Sequence, residues 1–186
     1  MTEEPGGAAE IERKFLVLDA RWRPPRDSID MAQGYLLEDD TKSLRIRREG
    51  ERYRLTIKAK TAEGARLERR EFQYDIPDAD GRALLALCRA PLVEKTRHLV
   101  DHGGHCWEVD VFTGANAGLV MAEIELKATD ERFTLPPWAG PEVTDDSRFT
   151  NANLYRAPFS GWGVTYDDLL AGFNGNPVDN LRIKAT

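Results

Sequence analysis

Apolar and polar residues alternate along most of this chain with a period of two residues. In residues 43–47, for example, Leu44 and Ile46 fall on one side while Arg45 and Arg47 fall on the other. Successive side chains of a β-strand point to opposite faces, so this alternation predicts strands with one apolar and one charged face. Helical spacing predicts short helices near residues 80–89, 151–155 and 166–173. Eight strands are predicted, at residues 10–18, 32–37, 43–48, 53–58, 67–76, 95–101, 105–112 and 119–128.

Most of these strands carry mainly acidic or mainly basic residues on their charged face. The pattern Glu-Ile-Glu occurs at residues 10–12 and again at residues 123–125. The strands between them carry mainly basic residues on the corresponding face, although Glu108 and Asp110 form one more acidic pair. A single Glu-Ile-Glu strand would be interpreted as an amphipathic surface strand. Soluble surfaces normally intersperse both signs, however, so segregation over the whole sheet indicates an enclosed site.

A closed antiparallel sheet accounts for this pattern, because each of its strands alternates between an inside and an outside. About eight strands leave an interior wide enough for one small ligand. The predicted fold class is therefore mainly β (α+β): an eight-stranded antiparallel closed β-barrel tunnel with helices packed outside and a C-terminal helical segment. Residues 1–9 are expected to form a flexible tail, residues 10–156 the tunnel domain and residues 157–186 a C-terminal extension. That extension either covers one tunnel mouth or is a flexible addition.

Enclosed cations and carboxylates are costly to desolvate unless a ligand of opposite charge meets each group. A polyanion that carries a divalent metal satisfies both kinds of group. Arginine offers a planar fork that matches two phosphate oxygens, and lysine offers a point charge. Carboxylate oxygens are hard ligands, which favours Mg²⁺ or Mn²⁺. The enclosed charges therefore predict a site for a small phosphate chain with Mg²⁺ or Mn²⁺.

Residues 9–156 carry an ordered series of motifs. They are E-x-E-x-K from Glu10, Q-G-Y-L from Gln33, R-I-R from Arg45, L-T-I-K ending at Lys58, R-x-E from Arg69, V-E-K-T-R at 93–97, W-E-V-D-V-F at 107–112, A-E-I-E-L at 122–126 and E-V-T-D at 142–145. This series resembles the CYTH superfamily, also called the triphosphate tunnel metalloenzymes, and in particular its compact bacterial inorganic triphosphatases. The resemblance implies a tunnel in which basic side chains bind a triphosphate and carboxylates hold a divalent metal. It further implies activity on tripolyphosphate, nucleoside triphosphates or thiamine triphosphate, or in one branch cyclisation of ATP.

The charged faces and this resemblance together give the candidate site residues. The catalytic roles are assigned to Glu12, Lys14 and Lys95, with Lys14 either stabilising the scissile phosphate or helping to orient water. The side chains expected to bind substrate phosphates are Arg45, Arg47, Lys58, Arg69, Lys95 and Arg97. The carboxylates expected to hold metal are Glu10, Glu12, Glu71, Glu108, Asp110, Glu123 and Glu125.

The predicted function is hydrolysis of the terminal phosphoanhydride of a small triphosphate, preferably inorganic tripolyphosphate, with Mg²⁺ or Mn²⁺. The alternatives on the same tunnel are a class IV adenylyl cyclase and a thiamine or nucleoside triphosphatase. An alternative of another class is a non-catalytic module that binds polyphosphate or nucleotide. Capture of phosphate alone would not need four carboxylates, so the sequence favours an enzyme.

Composition narrows the partners further. A net charge of −6 over 186 residues disfavours nucleic acid, and no apolar stretch is long enough to span a bilayer. Cys88 and Cys106 are the only cysteines and lack a metal-type spacing, which suits a reducing cytoplasm. His102 and His105 flank two glycines, a pattern that favours a hairpin turn over a zinc site. The sequence is compatible with a homodimer and does not determine the oligomeric state.

Overall fold

The computed structural model describes residues 11–39, 41–63 and 66–175, and β-strands dominate these residues. The helices are α1 (Asp78–Leu87), α2 (Asn151–Arg156) and α3 (Tyr166–Gly175). The strands are β1 (Ile11–Val17), β2 (Asp27–Glu38), β3 (Lys42–Glu49), β4 (Arg52–Glu63), β5 (Arg66–Ile76), β6 (Val93–His102), β7 (His105–Thr113), β8 (Val120–Leu126) and β9 (Ala139–Glu142).

The strands form one antiparallel sheet in the order β5-β4-β3-β2-β6-β7-β8-β1-β9. Two long-range pairings shape it, because β1 inserts between β8 and β9 while β2 pairs with β6. The predicted mainly β, antiparallel architecture with few helices is therefore confirmed. The sheet differs from the prediction in having nine strands. It is also not strictly closed, since β5 and β9 are its two edges among the described residues.

The sequence pattern missed two parts of this sheet. The short strand β9 contains Gly140 and Pro141, residue types that are depleted in strands. The strand β2 begins at Asp27, five residues before its predicted start at residue 32. The sequence pattern missed these residues because they are mostly polar and resemble a loop. That first half is nevertheless held in the sheet by pairing with β6 from Asp27 to Gln33.

The turn between β6 and β7 confirms the predicted hairpin. His102 pairs with His105 across the ladder, and Gly103 and Gly104 have φ angles of 60° and 83°. Two central residues with positive φ are the signature of the type I′ turn, whose twist matches the twist of paired strands. The His105 ring lies 3.2 Å from a carboxylate oxygen of Glu131, which gives this imidazole an ordinary surface partner.

One hydrophobic cluster covers the apolar face of β1, β7 and β8. Trp107 lies at its centre without exposure to solvent and meets Trp138 edge-on, with ring centroids 5.7 Å apart. The same face of the sheet continues under α1, where β2 approaches closely: a Cβ added at Gly34 would lie 2.6 Å from the Cβ of Cys88. The buried members of the cluster are Phe15, Val17, Trp22, Val100, Trp107, Val109, Ala122, Ile124, Leu126, Trp138 and Ala139.

A second cluster lies on the opposite face, at one end of the charged rows. Leu16, for example, is two residues beyond Lys14 and therefore shares its face. The Tyr166 hydroxyl accepts a hydrogen bond from the Val17 amide at 2.8 Å and donates to the Val120 carbonyl at 2.6 Å, which ties α3 to β1 and β8. The buried members are Leu16, Val93, Phe112, Leu119, Met121, Val143, Phe149, Leu154, Phe159, Trp162 and Leu169.

Candidate functional site

The charged faces of the strands line a cavity of about 570 Å³. Contributions come from β1 to β8 and from α2, so the sheet curls around this space. The predicted site residues that line it are Glu12, Lys14, Arg45, Arg47, Lys58, Glu71, Arg97, Glu108, Glu123 and Glu125. The structure thus gathers side chains that lie far apart in sequence around one enclosed volume.

The two Glu-Ile-Glu segments meet where β1 pairs with β8. In the antiparallel register Glu12 lies opposite Glu125, and Lys14 lies opposite Glu123. The Lys14 ammonium group donates to Glu123 Oε1 at 2.5 Å and lies 2.8 Å from Glu12 Oε1. Burial acts to lower the pKa of Lys14, but attraction by Glu123 and Glu12 outweighs it and raises that pKa overall. Lys14 is therefore a cation held between carboxylates.

Arg97 joins three carboxylates in the same region. Its Nε and Nη2 donate to the two oxygens of Asp110, both at 2.8 Å, and Nη2 also donates to Glu123 Oε2 at 2.7 Å. Glu108 forms an ion pair with Nη1. Burial opposes the charge of Arg97, yet the hydrogen bonds and charge of Asp110 and the charge of Glu123 raise its pKa. The cation and its acidic partners form one connected network.

Lys95 lies behind this network and does not line the cavity. It is an ion-pair partner of Asp110, and both residues are almost fully buried. The Lys95 ammonium group also lies 5.4 Å from the centre of the Phe112 ring, and complete burial lowers its pKa despite the nearby Asp110. Lys95 and Asp110 are thus placed where they support Arg97, away from the volume that a ligand would occupy.

The opposite side of the cavity is formed by β2, β3 and β4, and its cations have fewer acidic partners. Arg45 Nη2 donates to Thr56 Oγ1 at 3.3 Å, while its buried Nε has no hydrogen-bond partner in the described part of the chain. Burial lowers the pKa of Arg45, and repulsion from Arg47 adds to this effect. A buried Nε without an acceptor is costly, and the rest of this guanidinium group lines the cavity, so this position favours an anionic ligand.

Arg47 and Lys58 complete this side of the cavity. Arg47 Nε donates to Gln33 Oε1 at 3.2 Å, and its Nη1 donates to Glu49 Oε1 at 3.1 Å. Lys58 lies 2.7 Å from Glu71 Oε2, directly across the β4–β5 ladder. Both cations are only half-buried and line the cavity.

The sequence analysis missed several lining residues. Tyr35 is the third residue of the Q-G-Y-L motif and lines the cavity, where its ring packs on that of Tyr155 in α2 with centroids 4.9 Å apart. Arg156 reaches the cavity from α2 and lies 3.3 Å from Glu38. Strand alternation could have indicated Tyr35, which shares a face with Gln33. No signal in the sequence related α2 to the sheet.

Two predicted site residues cannot be compared with this geometry. Glu10 lies outside the described residues, and so does the side chain of Arg69, whose backbone belongs to β5.

The donor chemistry around Glu12 and Glu125 fits a hard divalent cation. These two carboxylates lie opposite one another on β1 and β8, and Glu108 lines the same part of the cavity. All three supply the oxygen ligands that Mg²⁺ and Mn²⁺ prefer. Within the described residues, however, no group of three or more potential ligands is already arranged around a metal position. The cations Lys14 and Arg97 occupy oxygens of Glu12, Glu123 and Glu108 instead.

Comparison with known proteins gives a consistent result. The family model of the CYTH domain matches residues 8–151. An inorganic triphosphatase of Acetivibrio thermocellus is 39% identical over 154 residues, which cover 82% of this chain and 97% of that protein. An inorganic triphosphatase of Nitrosomonas europaea is 37% identical over 153 residues, covering 78% of this chain and 95% of that protein.

Solved structures agree in fold. The crystal structure of an inorganic triphosphatase superimposes with a TM-score of 0.62 at 33% identity, covering 80% of this chain and 95% of that one. The tunnel-like β fold predicted from the alternation is thereby confirmed. Among the described helices, none has the length and apolar content needed to cross a lipid bilayer.

Proposed function

The chain belongs to the CYTH family, and on this basis we propose that it is a metal-dependent triphosphatase that cleaves the terminal phosphoanhydride of inorganic tripolyphosphate. The observation that carries the proposal is the arrangement of Arg45, Arg47 and Lys58 across one cavity from Glu12 and Glu125. The names of the two relatives, both inorganic triphosphatases, support the same substrate.

Phosphate binding is assigned first to Arg45, Arg47 and Lys58. Arg45 lines the cavity and forms no ion pair with a described carboxylate, so its guanidinium group is available to phosphate oxygens. Positioned cations of this kind account for most of the protein's contribution to phosphoryl transfer, because they fix the phosphates and stabilise charge on the transferred and leaving groups. The pairing of Lys58 with Glu71 indicates that a phosphate would share this ammonium group with a carboxylate.

Glu12, Glu125 and Glu108 are the residues that would hold the metal. When bound, Mg²⁺ or Mn²⁺ would neutralise charge on phosphate oxygens and lower the pKa of a coordinated water. Lys14 holds Glu12 and Glu123 through its two short contacts and thereby orients the acidic rows. Arg97 does the same for Glu108 and Glu123, with Asp110 and Lys95 fixing its guanidinium group from behind.

Bare tripolyphosphate is proposed as the preferred substrate over ATP. The residues assigned here contact phosphate and metal, and none is assigned to a purine or a ribose. Binding free energy from the phosphates alone is available equally to both substrates, so a nucleoside would add bulk at the mouth without adding contacts.

The physiological compartment is proposed to be the cytoplasm.

The test is a kinetic comparison of triphosphates with the purified full-length chain. Phosphate release is measured from tripolyphosphate, ATP and thiamine triphosphate after chelation of metals and then with Mg²⁺, Mn²⁺ or Ca²⁺ added. We expect hydrolysis with Mg²⁺ or Mn²⁺ but not with Ca²⁺, which prefers more ligands at longer distances. The value of kcat/KM should be highest for tripolyphosphate. Cyclic AMP as the main product from ATP would overturn the proposal.

Two variants of β1 give a matched control for the site. Glu12→Gln removes a carboxylate charge from the cavity at nearly constant volume and should abolish turnover. Arg13→Ala changes the neighbouring residue, whose side chain pairs with Glu142 away from the cavity lining. Full activity of Glu12→Gln with an unchanged metal requirement would contradict the assignment of Glu12.

A further inference from the structure

The buried side chain of Gln33 contacts the cavity wall without lining the cavity. Gln33 begins the Q-G-Y-L motif on β2, is only 3% exposed, and lies directly opposite Arg47 in the β2–β3 ladder. Its Oε1 accepts a hydrogen bond from Arg47 Nε at 3.2 Å. Arg47, by contrast, lines the cavity and carries one of the charges assigned to phosphate binding.

The amide group of Gln33 lowers the stability of the folded protein at this position. Its Nε2 is buried and has no hydrogen-bond partner among the described residues. A buried amide donor without an acceptor destabilises the folded protein, because its hydrogen bond to water has been lost without replacement. An apolar side chain of similar volume would avoid this cost, and Met31 and Val93 nearby show that the surroundings accept apolar residues. Stability therefore does not account for glutamine here.

A positioning role does account for it. The Nε hydrogen bond fixes the plane of the Arg47 guanidinium group, and Glu49 holds Nη1 at 3.1 Å on the other side. Nη2 then has no acceptor among the described residues and remains available to a ligand. A free arginine side chain samples many rotamers, so fixing it in advance reduces the entropy that is lost when a ligand binds.

We propose that Gln33 is a positioning residue that holds the Arg47 guanidinium group in the orientation that binds a triphosphate. The inference rests on the proposed function, because it assumes that Arg47 contacts substrate phosphates. It assigns a role to the first residue of the Q-G-Y-L motif that the charged-face analysis did not include.

The test is a double-mutant cycle on tripolyphosphate affinity, measured by calorimetric titration at one salt concentration with chelator present so that no turnover occurs. The four proteins are the wild type, Gln33→Met, Arg47→Ala and the double variant. Methionine keeps the volume and removes both the acceptor and the unmet donor. We expect Gln33→Met to raise the Kd about tenfold in the wild-type background and less than about twofold when Arg47 is absent.

Thermal unfolding separates positioning from packing. Gln33→Met should unfold at the same temperature as the wild type or higher, since a buried unmet donor has been removed. Gln33→Leu is the second variant should the methionine protein fail to fold. An unchanged Kd in Gln33→Met, or equal weakening in both backgrounds, would overturn the positioning role alone. An unchanged Kd in Arg47→Ala would instead show that the phosphate-binding assignment itself is wrong.

Discussion

The cations on the two sides of the cavity differ in how many carboxylates they contact. On the side formed by β1, β6, β7 and β8, Lys14 and Arg97 are each bound by at least two carboxylates. On the side formed by β2, β3 and β4, Arg45 has no carboxylate in contact among the described residues and keeps a buried donor unmet. We call these the balanced wall and the unbalanced wall.

The difference shows which cations are neutralised by the protein's own carboxylates and which would be neutralised only by a bound ligand. Carboxylates on the balanced wall neutralise its cations and hold them in fixed geometry, so these cations need no anionic ligand. The unbalanced wall is incomplete, because Arg45 was partly taken out of water without an acceptor for its Nε. An anion bound there would stabilise the protein as well as being bound by it.

The largest effect is expected from breaking the balanced wall. Glu123→Gln removes the carboxylate that links Lys14 to Arg97, and a buried ion pair that loses one partner typically costs about 3 kcal/mol or more. We expect both a lower free energy of unfolding in urea and a loss of hydrolysis. The matched control is Glu125→Gln on the same strand, which is exposed and should lose activity while its stability changes by only about 0.5 kcal/mol. Equal stability of the two variants would refute the distinction.

Removing charge from the unbalanced wall should separate activity from stability. Arg45→Met replaces a half-buried cation, which forms no ion pair with a carboxylate in the described chain, with an apolar side chain of similar length. We expect kcat/KM for tripolyphosphate to fall about 100-fold, equivalent to about 2.7 kcal/mol. The free energy of unfolding should stay the same or rise, since apolar replacement of a buried charge is often neutral or stabilising. A clearly less stable variant would mean that Arg45 is satisfied in the free protein.

A smaller effect should appear when only ligand is added. Tripolyphosphate without metal, at ten times its Kd, should stabilise the wild type by about 1.4 kcal/mol in thermal or urea unfolding. Arg45→Met should show little of this stabilisation at the same concentration. Undiminished stabilisation of the variant would place the anion on the balanced wall instead.

The smallest effect is expected on the outer face. Arg13→Ala breaks an exposed pair with Glu142, and such pairs contribute about 0–1 kcal/mol. Activity should stay within about twofold of the wild type. If this variant were as damaging as a change at Lys14, the facing of β1 drawn from its alternation would have to be reversed.

Alternation in the sequence predicted the faces of the strands but not their neighbours. The period of two residues assigns Arg97 to a face of its own strand and does the same for Asp110. Whether the two side chains meet depends on the register of β6 against β7, which places them opposite one another. The sequence therefore separated basic strands from acidic ones without indicating which of them are neighbours. The structure instead places the basic strand β6 directly beside acidic β7, which is why Lys95 and Arg97 belong to the balanced wall.

Features that depend on tertiary packing were also beyond the sequence pattern. The strand β9 has no alternation to detect, and it is held by its pairing with Phe15 and Val17 of β1. The entry of Arg156 into the cavity depends on the second hydrophobic cluster, in which Leu154 of α2 is buried against residues of the sheet. No local property of residues 151–156 predicts that contact.

The unpaired edges β5 and β9 give this enclosure a freedom that a closed barrel lacks. Strand number and shear fix the diameter of a closed barrel, so widening one means breaking backbone hydrogen bonds. Here, among the described residues, no ladder joins the two edges. A wider enclosure would therefore require no break in the described strand pairings, whereas a closed barrel would lose backbone hydrogen bonds.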